Sequence, residues 1–234
     1  MNSKRRFLHL LICVAVILMS ASCSVNRFIP EGSYLLERVS ISADSSGFNT
    51  QPLQGFVRQH PNSRWFSAIP VPLSVYCLSG TDSTRRFNRF LRRLGEAPVI
   101  YDSLQSMRTC NNMEQAVRGM GYLNAHVIRK ERIRNNRLRL RYEVHPGDIY
   151  RVTHLEVDIQ DSMLRQRLQE ENAMPSLSEG MNFDLNVLDA ERGRICERLQ
   201  NSGYYKFNKE FVRYEADTCL PGDVVNLDVR IPLY

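Results

Sequence analysis

The second half of the chain repeats a pattern that is already present in the first half. Gly121-Tyr122 ends a segment of helical periodicity and precedes alternating strands, and Gly203-Tyr204 does the same 82 residues later. Each repeat closes with apolar residues in strict alternation with polar ones, at 138–144 and at 225–231. Strict period two indicates a sheet with one buried face. The sequence therefore predicts two modules of the same kind.

The residues before each glycine complete the module. Alternation at 39–43 and at 155–159 predicts an opening strand in each repeat. A glycine directly after the second helix suits the left-handed position that ends a helix. The predicted fold class is α+β, with two tandem β-α-α-β-β domains that each pack a three-stranded mixed sheet on two helices. The predicted helices lie at 53–57 and 113–120 in the first domain, and at 163–168 and 188–199 in the second.

The first module is longer than the second by about 34 residues, which predicts a helical insertion at about 61–99. Part of this insertion has the pattern of a basic amphipathic helix. Its apolar side can dock on its own domain or contact a bilayer, and docking is the interpretation that we favour. The residues of this pattern are Phe87, Phe90, Leu91 and Leu94, with Arg85, Arg86, Arg89, Arg92 and Arg93 opposite.

The N-terminus has the composition of an export signal. Three basic residues precede an apolar run over 7–19, and these 13 residues are too few to span about 30 Å of hydrocarbon. Residues 1–22 are therefore predicted to be a lipoprotein signal peptide. The small residues Ser20-Ala21-Ser22 precede Cys23, which we predict to be the lipid (palmitate) attachment residue. The alternative is an ordinary secretory signal followed by an incidental cysteine.

Loss of the leader changes the charge of the protein. The whole chain carries +6, but the leader holds three basic residues, so the mature chain has 28 basic residues against 25 acidic ones. This modest excess and export from the cytoplasm both argue against a nucleic-acid partner. No acidic residue follows Cys23 directly. The expected location is the outer membrane, with the chain lipid-anchored and facing the periplasm.

The sequence contains no recognisable catalytic, phosphate-binding or metal-binding motif. The histidines, serines and glycines form none of the known catalytic or phosphate-binding motifs, and the cysteines lack metal-ligand spacing. We therefore predict no enzyme activity, no cofactor and no metal site; an envelope hydrolase with an unrecognised site is the weaker alternative. One disulfide in each domain is possible in an oxidising compartment, and buried free thiols are the favoured alternative. The four cysteines concerned are Cys77, Cys110, Cys196 and Cys219.

The order of elements resembles the POTRA (polypeptide-transport-associated) domain. Residues 184–231 follow its trace, and Gly-Asp-Ile-Tyr-Arg-Val at 147–152 resembles the start of such a unit. More narrowly, the chain resembles the lipoprotein form of the translocation and assembly module subunit, in the outer-membrane β-barrel assembly superfamily. That resemblance rests on the cysteine followed by Pro-Glu-Gly-Ser-Tyr-Leu-Leu at 30–36, Gln-His-Pro-Asn at 59–62 and Leu-Gly-Glu-Ala-Pro-Val at 94–99.

The resemblance implies a tether at 23–30, a first domain at 31–147 and a second at 148–234. It implies a periplasmic region that binds client or partner polypeptides during assembly and translocation of outer-membrane proteins. Its implied partners are outer-membrane precursors, an assembly-module protein anchored in the inner membrane, and outer-membrane lipid through Cys23. The family continues into a transmembrane barrel that this chain lacks, so we expect an N-terminal fragment of a longer protein. The alternative is a stand-alone envelope scaffold lipoprotein of a cell-wall or division complex.

The strand after each Gly-Tyr pair is predicted to lie at a sheet edge, over 123–130 and 205–213. Such an edge can accept an extended polypeptide by β-augmentation. The alternative is that Arg129, Lys130, Lys206 and Lys209 protect the edge against aggregation. The candidate augmentation residues are Leu123, Ala125, Val127, Arg129, Tyr205, Phe207, Phe211 and Arg213.

A basic hairpin is predicted around Asn135-Asn136. With a two-residue turn, Arg134 faces Arg137 and Arg132 faces Arg139, which is destabilising unless anions bind or the register shifts. We interpret these four arginines as candidate contacts for anionic lipid or an acidic partner. The alternative is a solvated face with a longer loop. The same register makes His126 and His145 neighbours, although two histidines alone make a poor metal site.

Overall fold

The structure is a computed structural model that describes residues 25–65, 70–80, 82 and 84–232. The predicted signal peptide at 1–22 and the predicted lipid attachment residue Cys23 lie outside the described residues. Within the described residues, the strands form two separate three-stranded sheets. None of the helices in this part of the chain combines the length and the apolar character that crossing a membrane requires.

The first sheet contains β1 (Leu35–Ala43), β2 (His126–Arg134) and β3 (Arg137–His145), in the order β1-β3-β2. The apolar residues at 138–144 in the central strand β3 are all buried, and the residues between them are not. The predicted alternation is therefore confirmed. It places the core on one face of the sheet and leaves the arginine-rich face accessible.

The segment between β1 and β2 contains the insertion. It includes a 3-10 turn (Gln51–Phe56) and the helices α1 (Val71–Cys77), α2 (Arg86–Leu94) and α3 (Ser103–Gly119). The prediction of an α-helix at 53–57 is wrong, because Pro52 at the start and Gly55 near the end favour a single tight turn. Leu53 still enters the core, where it is fully buried.

The second sheet contains β4 (Arg151–Ile159), β5 (Arg213–Asp217) and β6 (Val224–Ile231), in the order β4-β6-β5. β4 pairs with β6 in parallel and β5 pairs with β6 antiparallel, so this sheet is mixed, as predicted. The helices α4 (Ser162–Glu170) and α5 (Leu185–Asn201) connect β4 to β5. They supply the apolar layer that covers one face of the sheet.

Each of these two helices begins at an aspartate that caps it. The Asp161 side chain accepts hydrogen bonds from the backbone N–H groups of Met163 and Leu164, and Asp184 accepts one from Asn186. An acidic N-cap satisfies donors that the helix leaves without partners. The caps fix the starts of α4 and α5, so that their apolar stripes face the sheet. The core residues of this layer include Leu164, Leu168, Ile195, Leu199, Ile159, Val229 and Ile231.

The described residues group into two compact units. The first unit contains 25–42, 49–111 and 128–143, and the second contains 43–48, 112–127 and 144–232. The second sheet lies wholly in the second unit. The end of α3 and the loop after it, at 112–127, also group with the second unit. The division into compact units therefore differs from the predicted domain boundary at 147/148.

The two Gly-Tyr junctions have the same helix-ending geometry. Gly121 has φ 97° and Gly203 has φ 102°, both in the left-handed region, as the sequence predicts. The N–H of Tyr122 bonds to the Val117 carbonyl at 3.4 Å, and that of Tyr204 bonds to Leu199 at 3.0 Å. Bonds across five residues after a left-handed glycine define a Schellman motif. The repeat seen in the sequence is therefore a repeated helix end.

The second domain contains no disulfide between its two cysteines. Cys196 is half-buried and donates to the Phe207 carbonyl at 3.4 Å, whereas Cys219 is exposed. Both are free thiols, and neither is fully buried. Apolar packing and helix caps, rather than a covalent link, hold this domain together.

Candidate functional site

Each sheet has two edge strands, β1 and β2 in the first sheet and β4 and β5 in the second. In each sheet, a separate chain segment pairs with the start of one edge strand, β1 or β4. The residues around β1 pair with 99–101, where Leu36 donates to Val99 at 2.8 Å. β4 is covered in the same way by 179–183, where Val152 donates to Met181 at 2.9 Å and Leu155 donates to the Glu179 carboxylate. Among the described residues, β2 and β5 have no such segment at either end, and both lie at sheet edges, as predicted for the strands after the Gly-Tyr pairs.

β2 presents the longer edge, with nine residues. The backbone N–H of Val127 turns away from β3 and donates to Glu114 Oε2 at 3.1 Å. Residues of an antiparallel strand alternate in the direction of their backbone groups, so Arg129, Glu131 and Ile133 also direct theirs outward. No other described segment pairs with the backbone of these three residues. This stretch is the candidate docking edge of the molecule.

Side chains hold the candidate docking edge against the start of α3. Arg129 Nη1 donates to the Ser103 carbonyl at 2.9 Å and pairs with Glu131 at 3.2 Å. Glu131 in turn accepts a hydrogen bond from the Tyr101 hydroxyl. Burial and this carboxylate together raise the pKa of Tyr101. The charged side chains of Arg129 and Glu131 thus bond to neighbouring groups of their own domain, while the backbone of these residues stays accessible.

The predicted edge strand over 205–213 is wrong, because β5 begins only at Arg213. Phe207 is 1% exposed, and its carbonyl accepts from Gln200 Nε2 at 2.8 Å. Asn208 then caps a 3-10 turn (Lys209–Phe211) through the N–H of Glu210. Burial of the Phe207 ring and this cap pull the chain out of the extended conformation. Tyr205, which is exposed, and Phe211 therefore precede the strand rather than form its edge.

Part of the predicted edge in the first domain is also misplaced. Leu123 and Ala125 precede β2, and Ala125 is fully buried, with its N–H donating to Tyr122 at 2.9 Å. Within the predicted augmentation set, only Val127, Arg129 and Arg213 lie on strands. Alternating residue types before β2 and β5 predicted longer strands than the chain forms, because each glycine junction is followed by a turn before pairing begins.

The basic hairpin has the predicted two-residue turn. Asn135 and Asn136 have φ 51° and 57°, which are the left-handed values that a type I′ turn requires. The longer loop that served as the alternative is therefore absent. The turn brings the four predicted arginines around one cavity of about 720 Å³ at the end of the sheet. Its walls are Arg132, Arg134, Arg137, Arg139, Asn26, Glu37, Asn135 and Asn136.

This cavity, which we call the arginine pocket, contains one carboxylate. Glu37 accepts a hydrogen bond from Arg139 and lies 3.7 Å from Arg137. The hydrogen bond from Arg139 is the main reason that the pKa of Glu37 is lowered. Within the described residues, neither Arg132 nor Arg134 pairs with a carboxylate. The pocket therefore keeps an excess of positive charge, which suits an anion.

The two predicted histidine neighbours are confirmed. The rings of His126 and His145 stack with centroids 4.6 Å apart, and His145 Nδ1 lies 2.7 Å from Asp44 Oδ2. That hydrogen bond lowers the pKa of Asp44. The described residues contain no cluster of three His, Cys, Asp or Glu side chains suited to a metal ion. The pair is a cross-strand contact at the base of the hairpin.

Sequence reasoning missed one polar cluster in the second unit. Glu191 is 6% exposed and accepts from the Ser176 N–H at 2.6 Å and from Arg194 Nη2 at 2.7 Å. Burial raises the pKa of Glu191, but the bonds from Arg194 and Ser176 outweigh it, and the pKa is lowered. The signal was present in Glu191-Arg192-Gly193-Arg194, where a carboxylate shares a helix face with an arginine three residues later.

The two sheets share one topology. In each, the last strand of the module lies between the first strand and the middle strand, and the helices fall between the first two strands in sequence. Both halves of the chain are POTRA-like. In the first half, the 3-10 turn takes the place of the first helix, and α1 and α2 are the insertion.

No protein-family model matches the chain, and no curated protein matches it in sequence. Solved structures do match. BamA from Haemophilus ducreyi lacking POTRA domains 1–3 is 13% identical with a TM-score of 0.43, and the match covers 86% of this chain and 30% of that one. POTRA1-2 of the periplasmic domain of Omp85 from Anabaena is 16% identical with a TM-score of 0.38, covering 88% of this chain and 99% of that one. CdiB from Escherichia coli is 11% identical with a TM-score of 0.29, covering 88% of this chain and 28% of that one.

Proposed function

We propose that this chain is a periplasmic docking region, anchored to the outer membrane by lipid on Cys23, that binds client polypeptides during assembly or translocation of outer-membrane proteins. Its work is binding, with no catalytic step. The observation that carries the proposal is the uncovered backbone of Arg129, Glu131 and Ile133 on β2. An edge of this kind pairs with an extended strand through main-chain hydrogen bonds, so it accepts clients of varied sequence.

The proposed partners follow from the same chemistry. Unfolded outer-membrane precursors consist of extended segments that alternate apolar and polar residues, which fit an exposed sheet edge. A second polypeptide, such as an inner-membrane-anchored assembly-module partner, is proposed to meet the same region from the other side of the periplasm. The arginine pocket is proposed to contact acidic groups of a partner or anionic lipid headgroups.

A substitution at Ile133 tests the docking edge. Ile133→Pro removes the outward N–H of a half-exposed residue while leaving the bonds of the neighbouring residues to β3 in place. We expect the affinity of the full chain for a labelled, ten-residue alternating peptide from an outer-membrane strand to fall about tenfold, measured by fluorescence anisotropy.

Ile133→Thr is the matched control, because it removes the apolar side chain and keeps the backbone donor. It should bind the peptide as the native chain does. Equal loss of binding in both variants would show that the side chain, not the edge, makes the contact. Failure of the native chain to bind any alternating peptide would reject the proposed function.

The lipid anchor is tested separately. Replacing Cys23 with serine should move the protein from the membrane fraction to the soluble fraction of cells and abolish incorporation of labelled palmitate. Palmitate incorporation that persists in the Cys23→Ser chain would show that the lipid is attached elsewhere. Peptide binding should be the same in both chains, since the docking edge lies on β2.

A further inference from the structure

The helix α2 has no buried residue, although it contains four large apolar side chains. Phe87, Phe90 and Leu94 are 69%, 55% and 62% exposed. Their spacing of three and four residues places them on one face of the helix. These three side chains therefore do not dock on their own domain, although docking is the arrangement that the sequence favoured. Large apolar side chains that are exposed together on one helix face indicate a surface that binds a membrane or another molecule.

A different face of α2 attaches the helix to its own unit. Asn88 Nδ2 donates to the Asp82 carbonyl at 2.8 Å, and Arg92 Nη2 donates to the Gly80 carbonyl at 2.9 Å. At the end of the helix, a Cβ on Gly95 would lie 2.4 Å from the backbone nitrogen of Tyr76, so the two helices approach closely there. This attachment fixes the orientation of α2 and leaves the Phe87 face outward.

Beside the apolar face lies a basic one. Arg86, Arg89 and Arg93 are exposed and follow the same helical spacing. Within the described residues, none of the three pairs with a carboxylate, and α2 itself contains no acidic residue. An exposed apolar face flanked by unpaired arginines is typical of helices that lie in the interface of an anionic bilayer.

The position of α2 in the chain fits a membrane surface. The guanidinium of Arg92 lies over the rings of Phe28 and Tyr76, at 5.8 Å and 5.7 Å from their centroids. Phe28 follows Cys23 by five residues, so covalent geometry limits their Cα separation to about 18 Å. If Cys23 carries the lipid, α2 is held within a short distance of the bilayer that receives it.

We propose that α2 is an interfacial helix that inserts Phe87, Phe90 and Leu94 into the headgroup region of an anionic phospholipid bilayer, with Arg86, Arg89 and Arg93 on lipid phosphates. The placement near the bilayer rests on the proposed anchor, but the binding chemistry does not. α2 thus adds a second membrane contact to the lipid proposed on Cys23.

The test measures flotation of the mature chain, which lacks residues 1–22 and carries Cys23→Ser, so that neither the apolar leader nor an acyl group contributes. We expect this chain to float with vesicles of phosphatidylcholine and phosphatidylglycerol, and to bind vesicles of phosphatidylcholine alone much more weakly. Phe87→Ser with Phe90→Ser should weaken binding at least about tenfold, because two aromatic rings no longer leave water. Arg86→Glu with Arg89→Glu should weaken it by more than about thirtyfold, because two attractive charges become repulsive.

Two matched controls locate the effect on α2. Met163→Ser with Tyr205→Ser makes a similar apolar-to-serine change at exposed sites in the second unit and should leave flotation unchanged. Arg132→Glu with Arg134→Glu makes the same charge change in the arginine pocket and should weaken flotation by less than the α2 reversal. All variants substitute exposed side chains, so thermal unfolding should be unchanged.

Three results would overturn the proposal. They are no flotation of the Cys23→Ser chain with anionic vesicles, equal flotation with neutral vesicles, and equal losses from the α2 and pocket reversals. Peptide binding to the docking edge is measured without vesicles. A failure of membrane binding is therefore distinguishable from a failure of the proposed function.

Discussion

The two Gly-Tyr junctions are the same in backbone and different in surroundings. Gly121 and Gly203 both adopt left-handed φ values after a helix of 17 residues. A Cβ on Gly121 would lie 2.5 Å from the Phe183 carbonyl oxygen, whereas a Cβ on Gly203 would meet nothing within 4 Å. The carbonyl of Gly121 also accepts the N–H of Tyr150 at 2.9 Å. One glycine ends a helix, and the other ends a helix and forms a backbone contact inside the second unit.

The difference explains how the chain groups into compact units. The loop after Gly121 contacts 149–150 and 183, so the end of α3 belongs with the second unit. The loop after Gly203 instead leads through the buried Phe207 to β5. A repeated local signal thus serves two tertiary roles, and substitutions at matched positions can separate the local cost from the tertiary one.

The largest expected effect is at Gly121. Gly203→Ala should lower the free energy of unfolding by about 1 kcal/mol, because alanine resists left-handed φ and meets no neighbour. Gly121→Ala carries the same local cost and a backbone clash, and should lower it by about 3 kcal/mol or more. Urea denaturation of the full chain measures both. Equal losses would mean that the contact with Phe183 does not constrain the chain.

A smaller effect is expected from the carboxylates that anchor arginines in each unit. Glu191 is buried with Arg194 and Ser176, so Glu191→Gln should cost about 2 kcal/mol at neutral pH. Glu37 pairs with arginines that are partly exposed to solvent, so Glu37→Gln should cost less than about 1 kcal/mol. The comparison tests whether burial, rather than the number of arginines, determines how much an ion pair contributes to the free energy of unfolding.

The pH dependence gives the sign of the Glu191 effect. The pKa of Glu191 is lower in the folded chain than its ordinary value of 4.5. Its contribution to stability is therefore complete above pH 4.5 and is lost as the pH falls through the folded pKa. Glu191→Gln should flatten the acid limb of the stability curve of the second unit. An unchanged acid limb in that variant would assign the acid sensitivity to other carboxylates.

The smallest effect is expected from one arginine in each sheet, Arg134 on β2 and Arg230 on β6. Arg134 has no carboxylate partner among the described residues, whereas Arg230 pairs with Glu215 at 3.2 Å. Arg134→Gln should raise stability by about 0.5 kcal/mol at low salt, since it removes repulsion across the turn. Arg230→Gln should lower stability by about as much. Thermal unfolding at low and high salt checks both, and opposite signs that converge in high salt are the expected result.

Strands that bury one face were predictable from the sequence, and turns after the glycines were not. Alternation in β3 and β6 follows directly from the need to hide every second side chain, so these strands lie where the sequence places them. The stretch at 205–211 also has its aromatic residues at odd-numbered positions, 205, 207 and 211, yet Phe207 enters the core from a turn. Periodicity cannot distinguish a buried turn residue from a strand residue when both point inward.

The candidate sites divide in the same way. The type I′ turn was predictable from Asn135-Asn136, and with it the convergence of four arginines. That β2 has no covering segment while the starts of β1 and β4 do depends on the distant segments 99–101 and 179–183. The exposure of Phe87 likewise depends on which face of α2 meets α1. No local pattern encodes those pairings.

The amino-acid sequence by itself determined the repeat, the helix ends and the buried faces of the closing strands, because these depend on backbone conformation and on side-chain alternation within a few residues. The tertiary structure alone decided which edge is uncovered, which glycine contacts a carbonyl and which apolar helix face meets water. Those properties depend on which distant segments reach one another, and each pairing is a competition among surfaces that short-range sequence does not rank.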